Sequence, residues 1–107
     1  MDALLVITHV PDREIAVKIA RELVEKNLAA CVNVLDACDS VYRWHDKLEQ
    51  AREWPLLIKT RAARYSEVET TIRRLHPYEL PEIIAVGIER GLPEYLNWLH
   101  AETLLRD

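Results

Sequence analysis

Glycine is nearly absent from this chain, with two residues in 107, and the five prolines leave no stretch that reads as a linker or low-complexity segment. Cysteine is equally scarce. Cys31 and Cys38 stand seven apart, so on one regular strand their side chains point to opposite faces. That spacing argues against a mutual disulfide, or a metal site shared within one subunit, unless a bulge intervenes. The apolar start, Ala3 to Ile7, is too short for a signal peptide and has no basic leader. No segment approaches the roughly 20 apolar residues of a membrane span. A cytoplasmic protein with free thiols is therefore expected. Neither sign of charge dominates: the formal net charge is -4, and the basic residues are dispersed among carboxylates. Lys59, Arg61 and Arg64 come nearest to a basic cluster, so nucleic acid is not an expected partner and neither is a membrane. No Cys-x-x-Cys, His-x-x-x-His or His-Glu-x-x-His run occurs. Any metal site must be assembled from distant segments or from different subunits.

The residues present, half of them apolar, suit one globular domain over residues 1–107 with a modest core. Ala3 to His9 reads as a strand that is apolar on both faces. Leu5 and Ile7 lie on one face, and Leu4 and Val6 on the other. Asp12 is a fitting N-cap for a helix whose buried stripe is Ile15, Ile19, Leu23 and Val24. Asn27 suits its C-terminal end, because Asn tolerates the left-handed conformation. Ala62 to Leu75 is a second amphipathic helix, with Tyr65, Val68, Ile72 and Leu75 inward, ending by His76 because Pro77 follows. Glu82 to Glu89 is a strand apolar on both faces, and Pro93 opens a last helix carrying Leu96, Leu99 and Leu104.

Between the two main helices lies a hairpin too long for the body. Its arms run from about Leu28 to Trp44 and from Lys47 to Thr60, with the turn at His45-Asp46. An arm of about fifteen residues at ~3.3 Å each reaches roughly 50 Å. A compact domain of this size has a radius of gyration near ~13 Å. The tip must leave the body, and paired strands in water need a surface to lie on. Pro55 falls inside the returning strand, where a bulge or break is expected, leaving two shorter pieces. The order β-α-β-β-α-β-α is the split βαβ of α+β, ferredoxin-like folds plus a terminal helix. Two crossover helices cover one face of the sheet only. The first and last strands call for cover on both, and other copies of the chain are the expected source.

Five fragments in this order resemble the CutA family of divalent-cation tolerance proteins. They are Leu28-Ala29-Ala30-Cys31-Val32-Asn33; Tyr42-x-Trp44 with Lys47 and Glu53; Ile58-Lys59-Thr60; His76-Pro77-Tyr78-x-x-Pro81-Glu82; and Tyr95-Leu96-x-Trp98-Leu99. The resemblance implies a homotrimer whose sheets pack together and whose hairpins pair across subunits. It also implies a role in tolerance to divalent metals, with copper binding among members and no established reaction. One departure is Asp46, where the family's hairpin tip has Gly. A type I′ turn there asks for positive φ, which Asp adopts at some cost.

Cys31 matches the family's cysteine and is the obvious soft ligand for copper, although a small buried hydrophobe on a strand is the commoner role. Cys38 has no such warrant. His76 matches the family motif and is stiffened by Pro77; the other reading is a histidine bonding the last helical carbonyls. His9, His45 and His100 have no partner at ligand spacing. Trp44, Glu53, Lys59 and Tyr78 are expected to line an intersubunit cleft. In an enzyme, Glu53 would be a base, Lys59 an electrostatic stabiliser and Tyr78 a proton donor. In a binding protein they are an ion pair and an anchored phenol at an interface. The expectation is a non-enzymatic homotrimer requiring no cofactor, with copper or another divalent cation as ligand. The alternative is a ligand sensor or scaffold resembling PII-type trimers, read by an unidentified protein partner.

Overall fold

The computed structural model describes residues 2–104, which form five strands and three α-helices, with a 3-10 turn over Ala62–Arg64 ahead of the second helix. The strands and helices are β1 (Ala3–Val10), α1 (Arg13–Glu25), β2 (Cys31–Val34), β3 (Cys38–Trp44), β4 (Lys47–Arg61), α2 (Tyr65–Leu75), β5 (Ile84–Gly87) and α3 (Pro93–Glu102). The main sheet runs β2-β4-β1-β5, all neighbours antiparallel, while β3 pairs with the outer half of β4. The α+β, split βαβ architecture is the expected one. Glu82 and Ile83 at one end, and Ile88 and Glu89 at the other, fall outside the last strand, which is shorter than the sequence suggests.

Both crossover helices lie on one face. Ile19 and Leu23 of α1 and Val68 and Ile72 of α2 are fully buried against Val6, Val10, Leu56 and Ile58. Asp12 Oδ1 accepts from Ile15 N at 2.8 Å and starts α1. Its end is a Schellman turn: Leu28 N donates to Leu23 O, Asn27 N donates to Val24 O, and Asn27 has φ of 58°. The far end of α3 is tied down by cations and an amide. Arg61 and Arg64 donate to Thr103 O, and Asn27 Nδ2 donates to Glu102 O at 3.1 Å.

The opposite face carries Leu5 and Ile7 of β1, Leu57 and Lys59 of β4, Cys31 and Asn33 of β2, and Ile84 and Val86 of β5, because directly paired residues share a face. On this side α3 covers one corner, where Leu99 packs on Ala3 and Ala30. Ile84 and Val86 remain 51% exposed, Val41 63% and Leu48 74%.

The hairpin projects as expected and gives the molecule extents of 44 × 29 × 22 Å with a radius of gyration of 14.4 Å. Its tip is a two-residue turn between Trp44 and Lys47 with φ of 49° at His45 and 64° at Asp46, the type I′ signature.

The expected break at Pro55 lies in the other arm. β4 runs unbroken through Pro55 for 15 residues. Val34 faces Leu56 and Cys38 faces Glu53, so residues 35–37 oppose only residues 54 and 55. That one-residue excess is a bulge. Pro55 O accepts from Leu35 N, so the side on which Pro55 lacks a donor looks onto the bulge and not onto β1. The register with His9 on β1 therefore needs no N–H from the proline. The bulge also reverses the side-chain parity. Cys31 stands opposite Lys59 and Cys38 opposite Glu53, two positions on one face of β4. The cysteines thus share a face, and six residues of strand, roughly 20 Å, keep them from a disulfide. Both are free.

Candidate functional site

An open groove of about 840 Å³ runs between the hairpin and the connection from Pro77 to Ile84. Helix α2 stops at His76, whose extended backbone (φ -78°, ψ 130°) is the geometry that a following proline imposes. The chain then doubles back along β4. His76 is buried, and its ring holds this connection in place: Nδ1 accepts from Tyr78 N at 3.2 Å, and Nε2 lies 2.7 Å from His9 O. A ring nitrogen that accepts carries no proton, so Nε2 carries it and donates to the carbonyl. Next along the chain, Tyr78 Oη donates to Glu53 Oε2 at 2.9 Å. Burial first, and then the Glu53 carboxylate, push the Tyr78 phenol up to about 12. It is a standing donor, not a proton source near neutrality. Glu53 itself is only 7% exposed.

Trp44, Glu53 and Tyr78 all line this groove of the single chain. Lys59 does not. Six residues along β4, roughly 20 Å, separate it from Glu53, and its Nζ donates to Asn33 Oδ1 on β2. The base and stabiliser of an enzymatic reading are therefore at opposite ends of the strand. Instead Lys59 belongs to a second cluster on the open face. It stands opposite Cys31, and burial, with Cys31 next in weight, raises the Tyr95 hydroxyl. The Tyr95 ring in turn packs on that of Trp98, with centroids 5.5 Å apart.

Cys31 and His76 are not brought together within the chain. Cys31 sits on the edge strand β2 opposite Lys59, while His76 is held by His9, opposite Pro55 and two strands away. Both ring nitrogens of His76 are occupied by the backbone. Among the described residues, no group of three His, Cys, Asp or Glu side chains is placed to hold a metal ion. The donor set among the described residues of one chain does not fit a metal centre.

His9 gains a partner that its sequence position does not offer. Its Nδ1 lies 2.9 Å from Glu82 Oε1, close enough to pair when the ring is protonated but without the alignment of a hydrogen bond. No spacing rule joins these two residues; only the strand register and the return of the 77–83 connection do. His45 stays exposed at the tip.

The family description "CutA1 divalent ion tolerance protein" matches residues 4–102. The "Divalent-cation tolerance protein CutA" of Thermus thermophilus is 42% identical over 103 residues, covering 96% of this chain and 99% of its own length. "Protein CutA" of Mus musculus is 42% identical over 93 residues, 87% of this chain, and the chain spans only 52% of that relative. The crystal structure of CutA from Xylella fastidiosa is similar with a TM-score of 0.93 at 46% identity, covering 96% of this chain and 99% of that one.

Proposed function

The chain belongs to the CutA1 divalent ion tolerance family, and from that premise we propose that it acts without catalysis, as a homotrimer in the cellular response to divalent metal ions. The observation that carries this reading is the sheet face that α3 leaves bare, with Ile84 and Val86 half exposed and the hairpin's Val41 and Leu48 wetter still. Apolar surface of that kind is a standing drive to associate. Three copies packed sheet to sheet, with hairpins crossing between them, cover it. We place the protein in the cytoplasm; among the described residues no helix is long and apolar enough to cross a membrane.

Copper enters this reading as a weakly held ligand. Cys31 supplies a soft donor beside Lys59 and Tyr95, and further donors come from neighbouring copies. His76 serves the fold more than the ion, since a metal on either nitrogen would cost a backbone hydrogen bond. The reading requires no cofactor. Calorimetric titration with Cu²⁺, Zn²⁺ and Mn²⁺ tests it: Cys31→Ala should weaken copper binding at least tenfold, whereas His76→Ala should lower stability and leave the affinity near its original value. Unchanged copper affinity in Cys31→Ala removes the ligand. A folded 12.5 kDa species in dilute sedimentation removes the trimer.

The groove beside Glu53 favours a second reading, a trimeric ligand sensor resembling PII-type proteins, whose occupied cleft alters the hairpin seen by a protein partner. A metabolite screen by thermal shift addresses it, with saturable stabilisation as the positive sign.

A further inference from the structure

The projecting half of the hairpin has two unlike faces. Directly paired residues share a face, so Val41, Arg43, Leu48 and Gln50 lie on one side, and Tyr42, Trp44, Lys47 and Glu49 on the other. The first side continues the face of β4 that carries Leu56 and Ile58 in the core. Out here the helices leave it bare, with Val41 63% and Leu48 74% exposed. Arg43 stands opposite Leu48, and its guanidinium reaches only the Asp46 carbonyl, at 3.5 Å. Asp39, the acid of this side, faces Arg52 instead. The hairpin thus presents an apolar pair and one cation that no carboxylate among the described residues holds. The groove is the complement. Tyr42 and Trp44, from the hairpin's other side, make one wall, and Leu80 and Ile84 add apolar surface. Its charges are Glu53, Glu79 and Glu82, with no lysine or arginine among its lining residues. Tyr78 bonds one oxygen of the buried Glu53, but a neutral hydroxyl does not offset a charge withdrawn from water.

We propose that in the homotrimer this groove receives the hairpin of the next copy, seated by its Val41–Leu48 side, with the partner's Arg43 on the Glu53 carboxylate. Patch and groove are different surfaces of one chain, so the contact is head-to-tail, and repeated about an axis it closes a ring. Each hairpin is then covered on both sides, by a neighbour's groove on one and a neighbour's hairpin on the other. The groove's openness and its unpaired acid belong to the lone chain only. The proposal rests on the homotrimer reading. It competes with the sensor reading, because a groove filled by a partner has no room for a metabolite.

The test is a double-mutant cycle on association, read as the midpoint concentration of dissociation in a sedimentation dilution series. Arg43→Ala and Glu53→Gln should each raise that midpoint roughly tenfold or more, and the two together little further than the worse of them, because one pair is broken once. Circular dichroism checks that each variant folds. Should Glu53→Gln fail to fold, Arg43→Glu, at an exposed position outside the core, should raise the midpoint further than Arg43→Ala by setting acid against acid. Trimers that dissociate alike in every variant overturn the proposal and spare the homotrimer reading. Losses that simply add in the double variant do the same, since the two residues then sit in separate contacts. Saturable binding of a metabolite in the groove of the intact trimer also overturns it. A folded 12.5 kDa species as the only state of the unsubstituted protein removes the proposal and the trimer together.

Discussion

Tyr78 joins the connection after α2 to β4 through one hydrogen bond, and that bond has a pH signature. The phenol is held near 12 in the folded chain against an ordinary 10.0, so the folded state keeps a proton that the unfolded chain releases. The stability it contributes is complete below pH 10 and is lost as pH rises toward 12. Tyr78→Phe should therefore flatten the fall in stability across that window and cost about 1 kcal/mol at neutral pH, the usual worth of a partly exposed hydrogen bond. Chemical denaturation at a series of alkaline pH values measures both. His76→Ala removes two hydrogen bonds from a buried ring and leaves Tyr78 N and His9 O without partners. A loss of about 2–4 kcal/mol is expected in the same experiment. Trp44, Glu53 and Tyr78 stand out in the sequence because they fall in family fragments, and the single chain places all three along one groove. Lys59 falls in such a fragment too, yet the pattern misplaces it, since its alternation along β4 matches that of Glu53 while its distance does not. Glu82 could not be joined to His9 by any spacing.

Among the elements, the hairpin carries the most local strain and the clearest remedy. Asp46 holds φ of 64° at the tip, where an L-residue meets a steric cost that glycine avoids. Asp46→Gly should raise stability by a few tenths to about 1 kcal/mol, less the entropy of a freer unfolded chain, and thermal unfolding will read it. Asn27→Ala works in the opposite sense at φ of 58°, and it also loses the bond to Glu102 O. A cost of about 1–2 kcal/mol is expected, with Asn27→Gly recovering part of it. Turn and cap chemistry of this kind is local, and it could be read directly: Asp12, Asn27, the His45-Asp46 tip and the stop before Pro77 all stand where their side chains or rings require. Pro55 could not be placed by the same logic. A missing donor says that one side of a strand must be unpaired at that point, but not whether the strand or its neighbour gives way. Here the neighbour does, over residues 35–37, because the other side of β4 must stay in register with β1 through the core pairs Val6–Ile58 and Thr8–Leu56. Breaking β4 would have shifted the whole buried face by one residue.

At the scale of the whole molecule, one face of the sheet is covered within the chain and the other is left open, and on the proposed trimer reading this separates folding from assembly. The helix-covered face closes on itself: Val6, Val10, Ile19, Leu23, Leu56, Ile58, Val68 and Ile72 are all fully buried within one chain. The other face ends in Ile84 and Val86 on the edge strand β5, paired to β1 on one side only. Covering the exposed halves of those two side chains is worth roughly 1 kcal/mol each per subunit, and more once Val41 and Leu48 are included. A charge placed among them must be dehydrated on association but stays wet in the free chain. Val86→Glu, or Ile84→Asp, should therefore dissociate the assembly while sparing the helical core. Sedimentation should show the shift to a lighter species, and far-ultraviolet circular dichroism should show helix content retained. The matched substitution Val6→Glu on the covered face should unfold the chain at any concentration, because its carboxylate would have no water and no partner. If Val86→Glu sediments as the unsubstituted protein does, this sheet face is not the surface through which copies meet, and the hairpin must supply the contact by itself.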